Sequence, residues 1–379
     1  MERTERRAFE LVSCNTHEGD QSVNSHVMTG LAAAVVVISI AVAVSGPLAT
    51  DPLATAPIAV DGDESVSSGS PVTSNPVEVG YVGWGRDLNA ALATSKESGR
   101  PVFLLFQEVP GCTGCREFGQ TVLTHPLMVE AIEDEFIPVL VYNNVVGKDE
   151  RIREQFKEPA WNFQVVRFLD GSSKDVIPRK DKVWTIGALA GRMVQALEAR
   201  SRPVPRYLHA LEAEFNTDRH ASGAFAQHCF WIGEAKLGGI EGVVMTEAGW
   251  IEEREVTRVV FDRDKIDIAT LAAKARAMEC ADKVYAPEDQ RSKLAAAASQ
   301  SGLSSGELTG DYRRAKLTDQ KHQILSWPEI HKLPGITEMQ KTKINALAKE
   351  DRSKALAWLS PRQRAALLTS AKPKALQDG

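Results

Sequence analysis

The stretch Pro101-Val102-Phe103-Leu104-Leu105-Phe106, followed after a short connection by Pro110-Gly111-Cys112-Thr113-Gly114-Cys115, decides the fold of the central part of the chain. A continuous apolar run of strand length leaves no polar face, as expected of a strand covered on both sides in an α/β sheet. A strand that runs into a C-x-x-C and then into a helix puts Cys112 at the helix N-terminus, where free N–H groups and the helix dipole favour a thiolate. Cys112 is then the attacking sulfur. Cys115, one turn on, is the thiol that closes a disulfide and expels a mixed-disulfide partner. Two blander readings compete: an inert structural disulfide, and a zinc knuckle. The knuckle needs a second ligand pair at short spacing, which neighbours such as His125 do not supply, so neither a metal nor another cofactor is expected.

On the N-terminal side, Asp87 to Lys96 has helical spacing and Gly99 closes it. Beyond the cysteines, 117–123 and 125–136 read as helix, 137–142 as strand, 148–156 as helix, 165–169 as strand and 186–200 as a closing helix. A break at Ser201-Arg202-Pro203-Val204-Pro205 precedes a second pattern: a short helix starting at Cys229-Phe230-Trp231, strands at 242–246 and 255–261, and a helix over 268–277. From 291 onward the chain is rich in Ala, Ser and Lys, with capping-box chemistry at Thr337-Glu338-Met339-Gln340 and Ser360-Pro361-Arg362-Gln363, and reads as an exposed helical tail with a solvated basic face.

The whole chain has 379 residues, with 45 Lys plus Arg against 50 Asp plus Glu for a formal charge of -5, so no global electrostatic case exists for a nucleic-acid partner. Five cysteines, Cys14, Cys112, Cys115, Cys229 and Cys280, are too few for a disulfide scaffold. Residues 27–46 are apolar over about the length that spans a bilayer and read as a transmembrane anchor or a cleaved signal sequence, either of which exports the remainder of the chain. Residues 1–26 precede it, and 47–80 have the composition of a flexible linker. Both catalytic regions are therefore expected on the extracytoplasmic, periplasmic side.

The run Val109-Pro110-Gly111-Cys112-Thr113-Gly114-Cys115-Arg116-Glu117-Phe118, with Ile137-Pro138-Val139-Leu140-Val141-Tyr142, resembles bacterial thioredoxin-like proteins with a Val-Pro-Gly-Cys or Val-Pro-Gly-selenocysteine active site; Cys112 takes the selenocysteine position. The resemblance implies a thioredoxin fold over 81–200 with thiol–disulfide exchange as its chemistry. Gln164 stands where such folds usually carry a cis-proline. The second pattern, His228-Cys229-Phe230-Trp231-Ile232-Gly233-Glu234, with Gly249-Trp250 and Glu255-Val256-Thr257-Arg258-Val259-Val260-Phe261-Asp262, resembles A-type peptide methionine sulfoxide reductases. That resemblance implies Cys229 as nucleophile, Phe230 and Trp231 as the pocket for the S-methyl group, and Trp250 and Glu234 as further substrate-binding residues; the sulfenic acid left on Cys229 is expected to be reduced by Cys280, the candidate thiol of the same domain, or by the Cys112–Cys115 pair. The family's acid-bearing segment is shortened here to Ile251-Glu252-Glu253-Arg254, so the proton donor is expected from Trp250, Glu252 or Glu253.

The fold expected is thus α/β: a thioredoxin-like fold over 81–200, a second α+β domain similar to methionine sulfoxide reductase over 206–290, and a helical basic tail over 291–379. The function expected is a thiol–disulfide oxidoreductase that repairs oxidised methionine in exported or membrane proteins. Its partners are protein disulfides or methionine sulfoxides and an external thiol reductant, with the membrane reached through 27–46. The alternatives are a disulfide or peroxide reductase with a degenerate second domain, and a non-catalytic, membrane-tethered redox sensor or scaffold.

Overall fold

The structure, a computed structural model, describes residues 75–161, 164–308 and 311–370, all within one unit spanning 68–379. The expected anchor or signal at 27–46, the segment before it and most of the linker lie outside the described residues. Among the described residues no helix is long and apolar enough to cross a membrane.

Asp87 caps helix α1 (Leu88–Ser98) by accepting from the Ala90 N–H, and Gly99, with φ of +70°, ends it. Strand β1 (Val102–Gln107) comes next and is buried along its whole length. Helices α2 (Thr113–Thr121) and α3 (Pro126–Glu135) lead to strand β2 (Ile137–Tyr142), then to α4 (Lys148–Gln155), strand β3 (Val165–Leu169) and α5 (Ile186–Ala199). The sheet order is β2-β1-β3, with β2 parallel and β3 antiparallel to β1. Alternation along β1 feeds two cores: Phe103 and Leu105 pack with α2, α3 and α5 on one face, while Val102, Leu104 and Phe106 meet Leu88 and Ala91 of α1 on the other. A strand with apolar residues at every position is what a sheet covered on both faces requires.

Helix α6 (Arg206–Phe215) belongs to two cores at once. Tyr207, Leu208 and Leu211 complete the first core, whereas Ala210 and Ala213 pack against Val244 and Met339 of the second sheet and its covering helix. Helix α5 and the end of α6 touch at Gly187, where a Cβ would lie 2.5 Å from the Phe215 backbone. The second sheet contains strand β4 (His220–Ala226), then, after α7 (Phe230–Gly238), strands β5 (Val243–Ile251) and β6 (Arg254–Asp262). Helix α8 (Ile268–Ala277), strand β7 (Lys283–Ala286), helix α9 (Glu288–Ser301) and strands β8 (Ser304–Glu307) and β9 (Arg313–Arg314) complete the order β8-β7-β4-β6-β5-β9.

Those last strands correct the reading of 291–379 as a separate, exposed tail. Strand β8 pairs with β7 and β9 with β5, so the second sheet is unfinished without them. The three helices after them, α10 (Glu338–Leu347), α11 (Arg352–Leu356) and α12 (Pro361–Ser370), enclose a core of Ile324, Ile330, Ile344 and Leu359. Both expected capping boxes form: Thr337 and Gln340 exchange hydrogen bonds at α10, and Ser360 and Gln363 do so ahead of α12. The charge count of this region hid its scattered aliphatic residues, which are enough to bury α10 against α7 and β5. Lys343 illustrates the packing, since it is buried and its Nζ donates to the Gly238 and Ile240 carbonyls at the C-terminal end of α7, 2.8 Å each. Finally, Ser360 Oγ and the Arg362 N–H both donate to Glu130 of α3, and Arg362 pairs with Glu133 and Asp134, so the last helix is clasped to the first domain.

Candidate active sites

The loop after β1 is pinned from three sides. Buried Gln107 donates through Nε2 to the Glu78 carbonyl at 2.6 Å and the Cys115 carbonyl at 3.1 Å. Glu78 accepts from the Gly111 N–H at 3.0 Å, and Asn144 accepts from the Val109 N–H at 3.2 Å. Gly111 is required by the close turn, because a Cβ there would fall 2.4 Å from the Glu108 carbonyl oxygen and 2.5 Å from the Cys115 Cβ. The Val109–Pro110 peptide is cis, and Gln164 adopts φ of +49° at the position where a cis-proline is usual.

This loop delivers Cys112 as the N-cap of α2, exposed, with Cys115 one turn inside and fully buried. The two Sγ atoms are 3.5 Å apart. Burial, reinforced by the hydrogen bond and charge of Cys112, pushes the Cys115 thiol up to about 12. The pair is therefore asymmetric: an accessible sulfur at a helix N-terminus backed by a sulfur that keeps its proton. Cys112 opens on a cavity of about 900 Å³ that Trp161, Trp184 and Phe215 line with exposed aromatic surface, with Gln164 as a buried wall. Phe215 comes from α6, so the helix shared by both cores contributes to the mouth of the first site.

Sequence reasoning missed one neighbour of this pair. Glu108 places a carboxylate oxygen so that it and the two cysteine sulfurs all lie within 4.8 Å of one another, and the same carboxylate accepts from the Cys112 N–H at 3.3 Å. A lone acid four residues before the first cysteine carries no ligand-pair spacing and so gives no signal in the sequence. His125 is not part of this group: it packs edge-on against Phe215, and burial lowers its pKa.

The second constellation is built on the same local device. Strand β4 ends at Ala226, and Cys229, half-buried, is the N-cap of α7. Phe230 is buried and meets Trp231 and Trp250 edge to face, with ring centroids 5.9 and 5.7 Å apart. Trp231 does not stand free. Its indole N–H donates to the Asp319 carbonyl at 3.0 Å and its ring stacks on His322 at 4.1 Å, so the region expected to be a tail forms one wall of this site.

The acid placed beside the start of α7 is Glu255, not Glu252 or Glu253. Its carboxylate accepts from the Phe230 N–H at 2.8 Å, and it lies directly across the β5–β6 ladder from Trp250. Glu252 is engaged by Lys283 and Tyr285, and Glu253 by Arg313, at the turn of the hairpin. The strand segment that carries the resemblance begins with Glu255, so the signal was present one residue beyond the shortened segment.

Two further residues are placed away from the expected roles. Glu234 is fully buried, with one oxygen accepting the Lys321 N–H at 2.6 Å, and burial raises its pKa to about 7 against the opposing pull of Lys321. It ties α7 to the segment before α10 through that hydrogen bond. Cys280 is fully buried in the core formed with Leu237 and Ala275, its Sγ is 3.4 Å from the Ala275 carbonyl oxygen, and burial pushes its thiol up to about 11. Cys115 is just as buried but already lies 3.5 Å from its nucleophile, whereas among the described residues no sulfur contact joins Cys280 to Cys229.

A thioredoxin-like family profile matches residues 83–176. No curated protein matches the chain. Among solved structures, a chain titled "DsbH Oxidoreductase" aligns at 18% identity over 36% of this chain and 95% of its own length, with a TM-score of 0.27. Residues 83–176 form a thioredoxin-like domain.

Proposed function

We propose that the chain is a thiol–disulfide oxidoreductase in which Cys112 and Cys115 exchange electrons with disulfides of protein substrates. The observation that carries this reading is the pairing of an exposed, N-capping Cys112 with a buried Cys115 whose sulfur is 3.5 Å away. The Cys112 thiolate attacks one sulfur of a substrate disulfide, forming a mixed disulfide and releasing the other sulfur as a thiolate that takes up a proton. Cys115 then loses its proton and attacks Cys112, so that the substrate leaves reduced and the pair is left oxidised. An external thiol reductant restores the dithiol. Export through 27–46 belongs to the same proposal and would put this chemistry on the extracytoplasmic side. Reduction of insulin disulfides that persists in Cys112→Ser would overturn it.

A second activity is favoured by the surroundings of Cys229. A sulfur at a helix N-terminus, an aromatic cluster of Phe230, Trp231 and Trp250, and a carboxylate within the same corner support reduction of peptide methionine sulfoxide. The Cys229 sulfur bonds to the sulfoxide sulfur while Glu255 relays the thiol proton to the sulfoxide oxygen; that oxygen then moves to the Cys229 sulfur as the S–S bond breaks, so methionine is released and Cys229 is left as a sulfenic acid. Because Cys280 Sγ is engaged with the Ala275 carbonyl and makes no contact with Cys229 among the described residues, a thiol from outside this domain attacks the sulfenic sulfur and water departs. Turnover of a methionine-S-sulfoxide peptide with dithiothreitol, lost in Cys229→Ser and kept in Cys280→Ser, is the expected result. Loss in Cys280→Ser with the fold intact would return the resolving role to Cys280.

A further inference from the structure

The same loop that presents the dithiol assembles a ligand set that the exchange reaction does not need. Glu108, Cys112 and Cys115 place three donor atoms within 4.8 Å of one another, two of them the sulfurs at 3.5 Å. For a tetrahedral zinc ion with Zn–S bonds of about 2.3 Å, the sulfur–sulfur edge is about 3.8 Å, so the sulfur pair is already within a few tenths of an ångström of zinc-bound spacing and the carboxylate has only to swing in from within 4.8 Å. Two thiolates and a carboxylate form a mixed soft and hard donor set that suits zinc, whereas a purely thiolate pair would favour monovalent copper.

A second, independent feature points into the same space. Gln164 is 6% exposed, its Nε2 has no hydrogen-bond partner, and it lines the cavity onto which Cys112 opens. A Cβ built on Gly114 would be 3.4 Å from that Nε2 and 3.9 Å from the Cys112 Sγ, so both atoms border the same space over Gly114. A buried N–H donor without an acceptor carries a desolvation penalty that a ligand offering an oxygen removes. In a three-ligand zinc site the fourth position is filled by water, and such a water is an acceptor of this kind.

We propose that the reduced form binds one zinc ion through Cys112, Cys115 and Glu108, with Gln164 hydrogen-bonded to the water in the fourth position. Binding displaces two thiol protons and forms two Zn–S bonds and one Zn–O bond. Oxidation of the pair by a substrate disulfide moves two electrons to the substrate, converts both sulfur ligands into one S–S bond and releases the ion. Zinc and disulfide thus compete for the same sulfurs, and zinc loading slows exchange.

The test is a zinc titration of the full chain, reduced and then freed of reductant, against a chromophoric zinc chelator, together with X-ray absorption at the zinc edge. One equivalent is expected, with two sulfur scatterers and lighter ones completing the shell. Affinity should fall at least about tenfold in Glu108→Gln and be lost in Cys112→Ser or in the oxidised protein. Equal binding by oxidised and reduced protein, by the Cys112→Ser/Cys115→Ser pair, or by Glu108→Gln would overturn the site. Insulin reduction on the same samples, with zinc chelated, reads the exchange activity separately, so failure of one leaves the other standing.

Discussion

Cys112 and Cys229 occupy matching positions, each an N-cap residue after a strand that is buried where it meets the loop, yet the two sites are finished differently. At Cys112 the next turn of the helix supplies a second sulfur at 3.5 Å, and the surface beside it is an open cavity with aromatic walls. At Cys229 the next turn supplies Phe230 and Trp231, and the remaining cysteine of that domain is locked into the core. Both cysteines sit at a helix N-terminus, but only a second thiol already beside the first makes a self-contained redox cycle. Where electrons enter is decided by what lies one turn further on.

The sharpest way to break this contrast is to remove each N-cap sulfur in turn. Cys112→Ser should lower insulin reduction by at least about a thousandfold, while Cys229→Ser should leave it within about twofold. Equal losses would mean that both cysteines serve one reaction. Next in size, Glu255→Gln should slow turnover of a methionine-S-sulfoxide peptide by about 10²-fold, the range expected when a general acid is removed, with insulin reduction unchanged.

Much of the first site was legible because it is local. The apolar run of β1, the Pro-Gly turn and the cysteine spacing all fall within 101–115, and strand β2 has the bounds expected from its apolar run, 137–142. The second site was legible only in its nucleophile and aromatic neighbours. Glu255 reaches Phe230 across the β5–β6 hairpin, His322 and Asp319 arrive from nearly a hundred residues downstream, and no spacing rule in the sequence links them to Cys229. The same non-locality explains the misread tail, because strands β8 and β9 are too short to carry a period and owe their existence to the edges they pair with. Glu108 was visible in the sequence, but its carboxylate turns toward the sulfurs only because the loop is anchored by Gln107, Glu78 and Asn144.

Two smaller effects probe the scaffold that keeps the sites distinct. Glu234 has a folded-state pKa of about 7 against 4.5 when unfolded, so between these values the native state holds the extra proton. Stability from this group is therefore full below pH 4.5 and is lost as the pH rises to about 7, a change of roughly 2–3 kcal/mol. Denaturant titrations should show Glu234→Gln with a flatter profile over that window, and an unchanged slope would mean the carboxyl is solvated. Smaller still, Glu130→Ala should cost about 1–2 kcal/mol by uncapping α12, and limited proteolysis should then cut the C-terminal helix first.

The most direct measurement is a mass-spectrometric disulfide map of the full chain after reaction with an excess of a substrate disulfide and, separately, of a methionine sulfoxide peptide. A Cys112–Cys115 link is expected in the first case, with Cys280 reduced in both. A Cys229–Cys280 link, or Cys112 and Cys115 remaining as thiols while substrate is reduced, would contradict the division of labour between the two sites.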